Sequence, residues 1–193
     1  IDSASEQPVE PGKVAVIGIG NILFCDEGLG IYTTEYLKMN YRFSPSVELI
    51  DGGTLGMNLL HYYYEYDRLL LLDTISVDDK ALPGSVYSLG SQVLMGMGSY
   101  RKTAHEVEVL QTLEMGLLAG DMPEVHIVAM VPKDIESVCM GMTDPIQSSL
   151  PEMVAAALEQ LEKWGVVASR LENTQSIALI MAGYNQQRAV SCA

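Results

Sequence analysis

Apolar runs with strand character alternate along this chain with stretches of helical spacing. Val14 to Ile17, Val47 to Ile50, Arg68 to Leu72, Ser85 to Leu89 and Val125 to Val131 read as strands. Helical patterns fall between and after them, near Gly28 to Tyr41, Leu55 to Tyr64, Ala104 to Leu118 and Pro151 to Trp164. Such alternation predicts a largely parallel sheet with helices on both faces. Leu69-Leu70-Leu71-Leu72 carries no polar interruption, as expected of a central strand covered on both sides. Ser85 to Leu89 follows Pro83-Gly84 after a loop too short for a helical crossover, so it is expected to run antiparallel to its neighbour and make the sheet mixed.

The last of these helices is the best signed. Ser149-Leu150-Pro151-Glu152 has the form of a capping box with proline in the first turn. Val154, Ala157, Leu158, Leu161 and Trp164 then recur at helical spacing, Gly165 supplies the stop, and Trp164 reads as a core plug. Met95-Gly96-Met97-Gly98 reads either as an adaptable peptide-contact loop or as a loop with its methionines tucked onto the core. Ser176 to Ala182 is apolar enough for a strand or short helix, and the last ten residues are expected to be loose. The start, polar and without an initiator Met, carries Pro8 and Pro11 and is set aside as a flexible lead. The expected division is a lead over 1–12, one domain over 13–168 and a tail over 169–193.

A length of 193 residues, 48% of them hydrophobic, suits one domain with a sizeable core. The net charge of −14, with only 11 basic residues, argues against nucleic acid, whose binding depends on clustered Lys and Arg displacing counterions. The acidity fits a solvated exterior or a basic partner surface. Cys25, Cys139 and Cys192 are odd in number, far apart and without CxxC spacing, so neither a disulfide framework nor a zinc knuckle is expected, and a reducing, cytoplasmic setting is. No apolar run approaches the ~18 residues of a membrane span, so no membrane insertion is expected.

Candidate chemistry gathers at the strand ends, since the working crevice of an open α/β sheet lies beyond their carboxyl ends. The first strand delivers Asp26 and Glu27 shortly past its end, the second ends at Asp51 and the third at Asp73. His105 opens a helix reached from the same side. Together they offer the oxygen and imidazole donors that bind a divalent transition metal. Asp51, followed by Gly52-Gly53-Thr54, is better explained as a turn or capping residue. Asp26 is expected to orient its turn and leave Glu27 to face the crevice. His126 reads as a satisfied strand histidine and His61 as a helix-surface residue. Cys25 is a poor nucleophile because the neighbouring carboxylates disfavour a thiolate. Gly18-Ile19-Gly20-Asn21 lacks the third glycine of a dinucleotide fingerprint, with Leu23 in its place.

GIGNILFCDEGLG at Gly18 to Gly30, DGGTLGMNLL at Asp51 to Leu60, LLLLDTI at Leu69 to Ile75 and KTAHEVEVLQTL around His105 together resemble the endopeptidases that mature the large subunit of [NiFe] hydrogenases. Val131-Pro132 and Gly141-Met142-Thr143-Asp144-Pro145 look like that family's final crossover. The likeness spans Lys13 to Gly165 in order. It implies a three-layer α/β/α fold around a twisted, mostly parallel, mixed five-stranded sheet. It further implies an enzyme that removes a C-terminal extension from a [NiFe] hydrogenase large-subunit precursor once nickel is inserted, the nickel being supplied by that precursor. The family's nickel-sensing residues map to Glu27, Asp73 and His105, which the resemblance marks as both metal-contacting and catalytic. Asp-Glu stands here where many relatives have Asp-Asp, which keeps a carboxylate and lengthens its reach. The rival readings are a non-catalytic metallocentre-assembly chaperone and a Rossmann-type nucleotide-binding module.

Overall fold

The structure is a computed structural model and describes residues 12–54, 59–77, 81–96, 104–120 and 122–191. Its centre is a five-stranded sheet of β1 (Val14–Ile19), β3 (Glu48–Gly53), β4 (Arg68–Thr74), β5 (Val86–Gly90) and β6 (Glu124–Met130), in the order β3-β1-β4-β6-β5. β1 runs parallel to β3 and β4, β4 parallel to β6, and β5 antiparallel to β6 as its length of connection required. Alternation along the strands splits the core in two. Val14, Val16, Leu70 and Leu72 face α1 (Leu29–Asn40) and α5 (Asp144–Lys163). Ala15, Ile17, Leu69 and Leu71 face α2 (Leu59–Glu65) and α4 (Ala104–Ala119). The uninterrupted leucine run is thus two residues for each face of a buried strand.

Helix α1 lies unusually close to the sheet. A Cβ on Gly30 would stand 2.1 Å from the Leu72 carbonyl oxygen and 2.3 Å from that of Ile19, and one on Gly18 would stand 2.3 Å from the Gly30 carbonyl oxygen. These are backbone atoms that cannot swing aside. Gly30→Ala is therefore expected to push α1 off β1 and cost about 1–3 kcal/mol, as overpacking does; urea unfolding checks this.

Several elements depart from the sequence reading. α5 begins at Asp144, with Thr143 as N-cap and Pro145 in its first turn, and Pro151 is carried inside the helix. The pattern at Ser149 to Glu152 imitates a start, whereas Thr143-Asp144-Pro145 is the real one. Its stop is as expected: Gly165 takes φ +82°, its N–H donates to the Glu162 carbonyl (2.8 Å) and that of Val166 to Leu161 (2.9 Å). Trp164 is buried, and its indole N–H donates to Glu124 (2.8 Å). A second, two-stranded antiparallel sheet of β2 (Tyr41–Ser44) and β7 (Val167–Arg170) was too short to read. α3 (Ser91–Gly96) takes up the first half of the Met-Gly segment, and Met97-Gly98 lie outside the described residues. The chain end is α6 (Ile177–Ser191) where a loose terminus was expected. It docks on α1, with Tyr184 edge-on to Tyr32 and the Tyr32 hydroxyl donating to Asn185 (2.8 Å).

The cysteine reading also needs correction: Cys25 and Cys139 form a disulfide with Cα atoms 4.9 Å apart, spanning 114 residues of sequence. Only the return of the β6–α5 loop across the end of β1 brings them together, so spacing could not reveal the pair. No helix among the described residues is long and apolar enough to cross a membrane.

Candidate functional site

Past Ile19 the chain turns at Gly20, whose φ of +142° and close approach to the Glu27 carbonyl oxygen, 1.9 Å from where a Cβ would stand, admit only glycine. The Gly20 N–H donates to the Gly53 carbonyl (2.9 Å) and that of Asn21 to Glu27 (3.1 Å). Donors that a nucleotide-binding turn would aim at phosphate are used here within the chain, which argues against the dinucleotide alternative.

Cys25–Gly28 form a single 3-10 turn leading into α1. Asp26 is fully buried. Its carboxylate accepts from the N–H groups of Lys133 (3.0 Å), Asp134 (2.9 Å) and Thr143 (2.6 Å) and from the Thr143 hydroxyl (3.0 Å). Its own N–H donates to the Asp134 carbonyl (3.0 Å). Asp26 thus bolts the first loop to the β6–α5 loop, more than 100 residues away, and the Thr143 hydroxyl serves this bolt instead of capping α5. The exposed side chains of Leu23, Val138 and Met140, on the same two loops, give this edge an apolar rim.

Glu27 follows, half-buried, in a turn that packs against β4. Asp73 is buried near the end of β4, its Oδ1 accepting from the Thr74 N–H (2.7 Å). Gly18 and Leu72 are register partners, so Asp73 comes just beyond them, where the first loop leaves the sheet. The Glu27 turn and the Asp73 strand end are therefore brought to one edge. His105 is the second residue of α4, and α4 hands the chain to the start of β6 at the opposite edge, which directs its first turn toward the same side as Asp73. The His105 side chain lies outside the described residues. Among the described residues no group of three or more His, Cys, Asp or Glu side chains forms a ready metal cluster.

Asp51 is exposed, and its carboxylate accepts from the Gly53 N–H (2.9 Å) and from the Tyr184 hydroxyl, so it holds its own turn and anchors α6. His61 is a surface residue within 3.4 Å of Glu65. Cys25, bound in the disulfide, is no nucleophile. Sequence reasoning missed Cys139 and the bolting role of Thr143, although Thr143 lay inside a motif singled out for the final crossover.

His126, on β6, meets the Ser88 hydroxyl at 2.8 Å, and burial, followed by the nearby Lys163 charge, holds its pKa below the usual imidazole value. The unfolded chain therefore binds a proton that the folded strand resists. Its contribution is fully present above the unfolded value of about 6.5 and declines as pH falls through it. Unfolding free energy should drop as pH falls below about 6.5, and His126→Gln should flatten that part of the profile in urea titrations.

A family model described as hydrogenase maturation protease matches residues 31–160. A hydrogenase expression/formation protein, HoxM, of Azotobacter vinelandii is 32% identical over 159 residues, covering 81% of this chain and 76% of that protein. The hydrogenase 2 maturation protease of Escherichia coli is 29% identical over 157 residues, covering 81% of this chain and 94% of its own. Among solved structures, the hydrogenase maturating endopeptidase HybD from E. coli superposes with a TM-score of 0.74 at 28% identity, covering 82% of this chain and 97% of that one.

Proposed function

Because this chain belongs to the hydrogenase maturation protease family, we propose that it is the endopeptidase that removes the C-terminal extension of a [NiFe] hydrogenase large-subunit precursor after nickel insertion. The observation that carries this reading is the convergence of the Glu27 turn and the Asp73 strand end on one sheet edge, beside an apolar rim able to receive a peptide.

Glu27, Asp73 and His105 are the residues we assign to the nickel that the precursor brings. Carboxylate and imidazole donors hold a free divalent metal only modestly, which suits a site that inspects a metal already bound by substrate thiolates. Hydrolysis at that edge requires a base for the attacking water and stabilisation of a developing oxyanion. One of the two carboxylates supplies the base, and the substrate nickel would either polarise the scissile carbonyl as a Lewis acid or serve only to position the cut peptide. Asp26 stays outside the chemistry: its oxygens are committed to Lys133, Asp134 and Thr143, and it fixes the turn from which Glu27 projects.

Nickel-loaded and nickel-free precursor, incubated side by side with this protein and resolved on a denaturing gel, test the role of the metal. Conversion of the loaded form alone is expected. Equal conversion of both would remove nickel from recognition, and cleavage of unrelated peptides with added zinc would point to a generic metallopeptidase.

A further inference from the structure

The disulfide stands two residues before Glu27, joining the 3-10 turn to the loop that follows β6. Around it the two segments are also laced by backbone: Cys25 N–H donates to the Cys139 carbonyl (2.9 Å), Cys139 N–H donates to the Leu23 carbonyl (3.1 Å), and Phe24 bridges Cys139 in parallel. Cys25 is buried and holds φ +38°, a left-handed backbone that a residue with a Cβ keeps only when its surroundings enforce it. Cys139 is exposed. One end of the bond is therefore open to an attacking thiol, and the other sits in the backbone that sets the position of Glu27.

We propose that Cys25–Cys139 is a thiol–disulfide exchange site that latches the Glu27 turn: closed, it holds the turn in its working position; opened by a dithiol reductant, it lets the turn relax and slows processing. The step is balanced. A thiolate of the dithiol attacks the exposed Cys139 sulfur, the Cys25–Cys139 bond breaks, and Cys25 leaves as a thiolate and takes a proton. The second thiol of the reductant then attacks the mixed disulfide and releases Cys139. Two electrons and two protons pass to the protein, and the dithiol is oxidised to its own disulfide. Asp26 keeps its four hydrogen bonds from Lys133, Asp134 and Thr143, so opening the bond loosens the Cys25 side of the turn, and with it the placement of Glu27, without unfolding the domain.

The consequence for activity rests on the processing function proposed above, so the test carries a readout that does not. Iodoacetamide labelling of the air-oxidised chain, read by intact mass, should leave two of the three cysteines blocked until dithiothreitol is added. Hydrogen–deuterium exchange in segments 21–25 and 136–142 should then rise on reduction, while β1, β4 and the Asp26–Asp134 pair stay protected. Processing of the nickel-loaded precursor should slow about tenfold on reduction, the order expected when a reacting group is displaced by a fraction of an ångström. Cys139→Ser should behave as the reduced form and ignore dithiothreitol. Three labelled cysteines before reduction, or equal exchange in the two states, would overturn the latch whatever the activity; equal processing rates despite a changed exchange pattern would overturn its control of the site. Lack of processing in both states, with exchange changed as expected, would count against the processing function while leaving the opening of the turn established.

Discussion

Asp26→Ala should be the most damaging single substitution in this chain, lowering the unfolding free energy by about 3–5 kcal/mol. Truncation strands three backbone N–H groups, those of Lys133, Asp134 and Thr143, together with the Thr143 hydroxyl, around a side chain that is itself fully buried. Each buried donor left without a partner costs on the order of 1–3 kcal/mol, and local rearrangement recovers part of the sum. In a chain of this size the loss corresponds to roughly 10 °C in melting temperature. Asp26→Asn should recover only some of it, because one carboxylate oxygen becomes an NH2 group facing donors. Equilibrium urea unfolding followed by circular dichroism measures both, and a loss below about 1 kcal/mol for the alanine variant would show that the bolt is not what holds the two loops together.

The second large effect falls on activity with little change in stability. Glu27→Gln, Asp73→Asn and His105→Ala should each reduce precursor processing by at least about a hundredfold, the lower bound for loss of a positioned acid–base group. Glu27 is half-buried on a short turn, and Asn at 73 keeps an oxygen to accept from the Thr74 N–H, so the melting temperatures of these two variants should stay within a few degrees of the parent. Single-turnover processing and thermal melts on the same preparations separate the two roles. Near-normal rates would remove a residue from the site, and global unfolding would assign it to the fold.

Much of this was legible in the residues because it was encoded locally. The leucine run of β4, the alternation in β1 and the Pro83-Gly84 turn before β5 fixed the sheet, since strand character and connection length depend on neighbours in sequence. The carboxylates at strand ends followed from topology once the strands were known. The two glycines behind Asp51 mark it as a turn residue and the apolar flanks of His126 mark it as a strand histidine, and both hold those places in the fold. What stayed hidden depends on distant partners. Cys25 and Cys139 are 114 residues apart, and the Asp26 bolt spans a similar distance. β2 and β7 are four residues each and stable only as a pair. The start of α5 was misplaced because Ser149-Leu150-Pro151-Glu152 satisfies a local rule more fully than Thr143 does, and Thr143 spends its hydroxyl on Asp26 instead of on its own helix.

Cleavage at the C-terminus of a nickel-bearing substrate is the activity proposed for this protein. Intact mass spectrometry of a nickel-loaded [NiFe] hydrogenase large-subunit precursor, before and after incubation with this protein, tests it most directly. The expected result is loss of one C-terminal peptide with the remainder of the subunit unaltered. An unchanged mass, from a precursor that an established maturation protease does shorten, would contradict the assignment and favour a chaperone that binds the precursor without cutting it.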